Sequence, residues 1–163
     1  KTPLVLVYNP RFLNPDTISN YSELNNKVWK KKLALQKRGT STMTCFIKSI
    51  QYDLKNHSGE FLQDFWKQSA GAFLNNDQEV MRKILINEAS LGVVQLTSFL
   101  NFKKELNESN DTLKSNDLNQ FPIDDFGNFV KKWTNNWLTI YGNAETTPGS
   151  GILNKDILFG SKD

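Results

Sequence analysis

The chain has 163 residues, of which 38% are apolar and 12% aromatic, and a formal net charge of +3. This length suits one domain with one core, and the apolar fraction excludes a wholly disordered chain. No apolar run approaches the roughly 20 residues that a membrane-spanning helix needs, so we predict no membrane span. The single cysteine cannot form an internal disulfide, which favours an intracellular location, cytoplasmic or nuclear, with secretion left open.

The first element predicted in chain order is a short β-strand. Residues 3–8, PLVLVY, are rich in side chains that suit extended backbone, and the Asn9-Pro10 pair that follows is typical of a turn. One strand cannot form a sheet alone, so we expect it to pair with a partner or with a strand from outside this sequence.

A basic helix is predicted next, closed by Gly39. Its inward face would carry Leu24, Val28 and Leu35. Six cationic side chains surround one tryptophan in this segment: Lys27, Trp29, Lys30, Lys31, Lys32, Lys37 and Arg38. Residues 1–55 contain ten Lys or Arg against three acids, so the positive charge is local. The pattern indicates a contact with an acidic partner, although a solvated helix face is the simpler alternative.

Most of the remaining sequence has helical spacing. Residues 40–55 fit a strand or a helix, and the spacing of Phe46, Ile50 and Leu54 favours a helix. Further helical segments are predicted at 58–76, at 77–106 with a division at Gly92, and, after an exposed loop at 107–122, at 123–142. The predicted fold is therefore all-α, a compact bundle of five or six helices, with or without one short N-terminal strand.

The predicted domain organisation is simple. Residues 1–142 form a single helical domain, and residues 143–163 form a flexible spacer with a short apolar peptide. The last predicted helix places Trp133 and Trp137 on one face, where they could be core or part of a binding surface. We include both in the predicted partner-binding set with the basic segment.

The sequence contains no clear catalytic constellation. His57 is the only histidine, so any catalytic triad or histidine-rich metal site would need it, and Cys45 is the only thiol that could pair with it. The Asp-Phe-Gly tripeptide at 125–127 lacks the other kinase motifs, and no glycine-rich phosphate loop is present. We expect a protein that is not an enzyme, with no cofactor and no metal.

Three functional hypotheses follow. The first is a non-catalytic protein-protein interaction or assembly module, an adaptor whose basic patch contacts an acidic protein. The second is a nucleic-acid-binding domain that uses residues 27–38. The third is a secreted helical effector or cytokine-like protein, because the sequence starts with Lys rather than Met and has four glycosylation sequons, at Asn20, Asn56, Asn107 and Asn110.

Overall fold

The fold is a mixed α/β arrangement and not the predicted all-α bundle. A computed structural model of the protein describes residues 3–14, 21–109 and 112–123. Within these ranges there are four α-helices and one four-stranded sheet. The strands are β1 (Leu4–Tyr8), β2 (Leu33–Ala34), β3 (Leu91–Gln95) and β4 (Asn119–Ile123), and the helices are α1 (Ser41–Leu54), α2 (Ser58–Trp66), α3 (Asp77–Leu85) and α4 (Leu96–Glu108).

The sheet has the strand order β2-β3-β1-β4, with β1 in the interior. β1 runs antiparallel to β3, with Leu4 opposite Gln95, and antiparallel to β4, with Leu4 opposite Ile123. β2 runs parallel to β3, with Leu33 opposite Leu91. The strand predicted at the N-terminus therefore exists, but it pairs with strands of its own chain and not with a partner.

Helices cover both faces of this sheet, which creates two core clusters. On one face Leu4, Leu6 and Tyr8 pack in the same cluster as residues of α1 and α2. On the other face Val5 and Val7 pack in the same cluster as residues of α3 and α4. All five residues of β1 are buried, which explains why the strand has a continuous apolar sequence instead of an alternating one.

The predicted basic helix is wrong because residues 33–36 behave as extended chain. Successive side chains of Leu33, Ala34 and Leu35 enter opposite core clusters, as the period of two in a strand requires. Two short 3-10 helices, Tyr21–Asn25 and Lys27–Trp29, precede Lys31, whose φ of 57° prevents a helix from continuing into residues 33–36. The assumed inward face fails as well, since Val28 is 50% exposed whereas Trp29 is 4% exposed.

Two further predictions were wrong around residues 77–123. The division placed at Gly92 is a whole strand, β3, which continues directly into α4. The segment predicted as an exposed loop ends in β4. The predicted helix at 123–142 and the segment 143–163 lie outside the described residues, except for Ile123, which belongs to β4.

Candidate functional site

A polar cleft of about 740 Å³ opens at the end of the sheet where β2 and β3 finish. These two strands are parallel, and α/β proteins bind ligands beyond the carboxyl ends of parallel strands. Hydroxyl and amide side chains dominate the lining, among them Ser41, Thr42, Asn75, Asn76, Gln95 and Asn101. The cleft is therefore suited to a ligand rich in hydrogen-bonding groups.

Three helices begin at this cleft. α1 is capped by Thr40, whose side chain accepts a hydrogen bond from the Met43 N–H at 3.3 Å. α3 is capped by Asn76, whose Oδ1 accepts from the Glu79 N–H at 2.9 Å. α4 starts immediately after Gln95, without a loop. The first N–H groups of a helix lack intrahelical acceptors and lie at the positive end of its dipole, so these three ends favour an anion.

Asp77 ties the walls of the cleft together. Its Oδ1 accepts hydrogen bonds from Gln36 Nε2 at 2.6 Å and from the Thr42 hydroxyl at 2.7 Å. Its Oδ2 accepts from the Gln95 N–H at 3.1 Å. Asp77 is 9% exposed, so these donors take the place of water around the carboxylate. One side chain thus connects α3 to the residues after β2, to α1 and to the end of β3.

The other charged groups lie nearer the opening. Lys37 and Glu105 line the cleft, and Glu105 accepts a hydrogen bond from Gln78 Nε2 at 3.3 Å. The backbone N–H of Asn75 donates to Glu79 at 2.8 Å and lowers the pKa of that carboxyl, with smaller contributions from the Asn75 side chain and the Lys37 charge. These contacts hold the loop before α3 against the helix.

The predicted partner-binding residues do not form one surface in the described structure. Lys27, Lys30, Lys31 and Lys32 are exposed near Ser90, at the start of β3, whereas the cleft lies at its other end. Trp29 is buried in the core.

The rest of that set lies in three different places. Lys37 lines the cleft, while the Arg38 guanidinium lies 4.8 Å from the centre of the Trp66 ring in a groove beside α2. Trp133 and Trp137 lie outside the described residues. Partner binding by this set therefore stays a prediction.

Sequence reasoning missed the buried polar residues of the cleft. From the sequence, Asp77 was predicted only as the start of a helical segment, and no role was predicted for Gln36 or Thr42. The available signal was a series of helix-start patterns, Gly-Thr-Ser-Thr at 39–42 and Asn-Asn-Asp at 75–77. That signal indicates where helices begin, but it cannot show that the two segments meet.

The fold is shared with solved structures of binding proteins, although no family model matches the sequence and no curated protein is similar to it in sequence. The Trichodesmium protein IdiA (FutA), solved with iron and citrate, aligns with a TM-score of 0.64 and 15% identity over 78% of this chain and 40% of that chain. The ferric binding protein of Campylobacter jejuni aligns with a TM-score of 0.62 and 16% identity over 79% of this chain and 42% of that chain.

A periplasmic binding protein, P5PA, aligns with a TM-score of 0.54 and 14% identity over 64% of this chain and 34% of that chain. At these identities the similarity establishes the fold alone. The chain spans between 34% and 42% of the length of these three proteins.

These matches contradict the function, partner and location that the sequence had predicted. The matched proteins are iron-bound, ferric-binding or periplasmic binding proteins, which is not the pattern of an intracellular adaptor with an acidic protein partner or of a nucleic-acid-binding domain. The helical effector hypothesis also loses its basis, because the fold contains a central sheet. The basic segment at 27–38 is divided among a 3-10 helix (Lys27–Trp29), a turn, β2 and a cleft wall, so it is no single helical patch.

The part of the chain that the structure describes contains neither a metal-binding cluster nor a membrane-spanning helix. No three His, Cys, Asp or Glu side chains are grouped there in a way that could hold a metal ion. No helix there combines the length and the apolar character needed to cross a bilayer.

Proposed function

We propose that this chain contributes one lobe of a two-lobed solute-binding protein that works outside the cytoplasm. In this proposal the cleft binds a small, oxygen-rich anion such as a hydroxycarboxylate, either alone or as its iron complex. Binding proteins of this class close two domains around a ligand, and a chain that spans about two fifths of its structural neighbours has the size of one such domain.

One observation carries the proposal: three helices begin at a single cleft beyond the carboxyl ends of two parallel strands. Their N-terminal N–H groups and the Lys37 ammonium supply positive potential. Asp77 keeps its negative charge, and its three internal hydrogen-bond donors reduce but do not cancel the repulsion of an anion in the cleft.

The lining chemistry decides between a bare metal ion and a complexed one. Amides, hydroxyls and helix N–H groups bind carboxylate or hydroxyl oxygens, whereas a ferric ion prefers several anionic ligands. The described residues are therefore suited to the organic part of an iron complex, as in the neighbour solved with iron and citrate. Any direct ligand to iron would come from the chelator or from outside this cleft.

The proposed role is binding and delivery, not catalysis. A carrier outside the cytoplasm passes its ligand to a membrane transporter, which is the partner that this proposal implies. The exposed Cys45 and His57 take no part, since neither lines the cleft. Replacing both would leave ligand binding unchanged.

A pair of matched variants tests the site. Ser98 and Thr97 are both in the first turn of α4, but Ser98 lines the cleft and Thr97 does not. Glutamate suits the first turn of a helix, so S98E and T97E should both fold at least as well as the original chain. S98E should weaken citrate binding at least about fivefold, since like charges about 4 Å apart repel by roughly 1 kcal/mol even in water. T97E should bind citrate nearly as well as the unmodified chain.

Dissociation constants for citrate and ferric citrate, measured by titration with the full chain, provide the comparison. A ligand of citrate's size gains about 4 kcal/mol at an ordinary ligand efficiency, which corresponds to a dissociation constant of about 1 mM for one lobe. Equal weakening by S98E and T97E would place the anion elsewhere. Failure of both citrate and ferric citrate to bind would refute the proposed function.

A further inference from the structure

The amide of Gln36 is held in one orientation on the floor of the cleft. Gln36 lines the cleft, yet its side chain is almost completely buried, with 1% of the residue exposed. Its Nε2 donates to Asp77 Oδ1 at 2.6 Å and to the carbonyl oxygen of Val93 at 3.4 Å. Both N–H groups of the amide are therefore used inside the protein, and only Oε1 remains to meet a ligand.

Thr42 is committed in the same way. Its hydroxyl, in a residue that is 2% exposed, donates its single hydrogen to Asp77 Oδ1 at 2.7 Å. The hydroxyl can therefore only accept a hydrogen bond from a ligand, through the lone pairs of Thr42 Oγ1. An ionised carboxylate only accepts hydrogen bonds, so Asp77 forces both neighbours to donate towards it and to present oxygen acceptors on their other side.

We propose that Gln36, Thr42 and Asp77 form a donor-selective subsite that recognises an O–H or N–H group of the ligand beside its carboxylates. Asp77 is the positioning residue, and Gln36 Oε1 and Thr42 Oγ1 are the contacting atoms. The inference rests on the proposed function, since it assigns a second recognition element to the same cleft. It separates an α-hydroxy or α-amino carboxylate from a plain carboxylate with the same number of carboxylate groups.

The selectivity follows from the cost of an unmet polar group. A ligand that lacks the donor would cover two buried acceptors and leave them without water or a partner. Sites built to hydrogen-bond a substrate hydroxyl discriminate strongly against the analogue that lacks it. The helix N-termini and Lys37, by contrast, would bind the carboxylates of both ligands equally.

Iron-free citrate and tricarballylate test this subsite directly, because they share three carboxylates and differ in the central hydroxyl. We expect the full chain to bind citrate at least about tenfold more tightly, as a site with buried, oriented acceptors should. Aspartate and succinate form a second pair, in which an ammonium group supplies the donor. Aspartate carries one negative charge fewer than succinate, so a preference for aspartate would show that the subsite accepts an N–H donor even against the weaker attraction to the cleft.

Two threonine variants on α1 provide the matched control. T42V removes one acceptor at nearly constant volume and should reduce the preference for the donor-bearing ligand. T44V removes a hydroxyl that donates to the Arg38 carbonyl at 3.3 Å and does not line the cleft, so it should leave the preference unchanged. If T42V fails to fold, the affinity ratios of the unmodified chain still decide the question.

The outcomes are separable. Equal binding within both ligand pairs would overturn the donor-selective subsite while leaving an anion-binding cleft intact. No binding of any of the four ligands would overturn the subsite, and failure of ferric citrate as well would refute the proposed function itself. A ratio in the unmodified chain that falls in T42V and persists in T44V is the result we expect.

Discussion

At the scale of single residues, Asp77 is the buried carboxylate that joins three segments around the cleft. Replacing it with alanine would leave the Gln36 amide, the Thr42 hydroxyl and the Gln95 N–H without their acceptor. We expect D77A to lower the free energy of unfolding by about 3 kcal/mol, since each unmet buried donor costs roughly 1–3 kcal/mol and water in the cleft recovers part of that. Asp64, which forms an exposed ion pair with Lys67, is the control, and D64A should change stability by less than about 1 kcal/mol. Urea unfolding of both variants measures the difference, and equal losses would show that Asp77 does not organise the cleft.

At the scale of elements, the contact between α3 and the sheet depends on Gly92 in β3. A Cβ atom there would lie 2.3 Å from Val80 Cγ1 and 3.1 Å from Ile84 Cδ1, both on buried side chains of α3. G92A should therefore destabilise the protein by about 2 kcal/mol, because the helix must move away from the strand. Gly59 in α2 has open space around it, so G59A should be neutral or slightly stabilising. Thermal unfolding tests both, and the double variant G92A/V80A should lose less stability than the sum of its single variants; strict additivity would contradict the close packing.

The same elements show how far the sequence could predict the fold. β1 was predictable because a short apolar run before Asn-Pro is a strong local pattern, and α1 was predictable from the spacing of Phe46 and Ile50. β3 was missed because it leads into α4 with no Gly, Pro or polar turn between them. The sequence therefore contains no signal that separates the strand from the helix. β2 was missed because two residues are too few to show a period, and only pairing with β3 makes them a strand.

At the scale of the whole molecule, the cleft exists because the sheet brings distant segments together. Gln36, Asp77 and Gln95 meet at one point although 41 and 18 residues separate Asp77 from the other two along the chain. No local pattern encodes that meeting, and an acid at a helix start is common whether it is exposed or buried. The sequence instead predicted a binding surface at Lys27–Lys32, because cations that are neighbours along the chain can be recognised without the fold. These residues lie near the opposite end of β3 from the cleft.

The most direct test of the proposed function is a map of where citrate binds. Backbone amide resonances of the full chain, followed by NMR during titration with iron-free citrate, would report each segment separately. We expect concentration-dependent shifts at Ser41, Thr42, Asn76 and Ser98, with the amides of Lys27–Lys32 unchanged. Shifts confined to Lys27–Lys32, or none at any residue, would contradict an anion-binding cleft at the ends of β2 and β3.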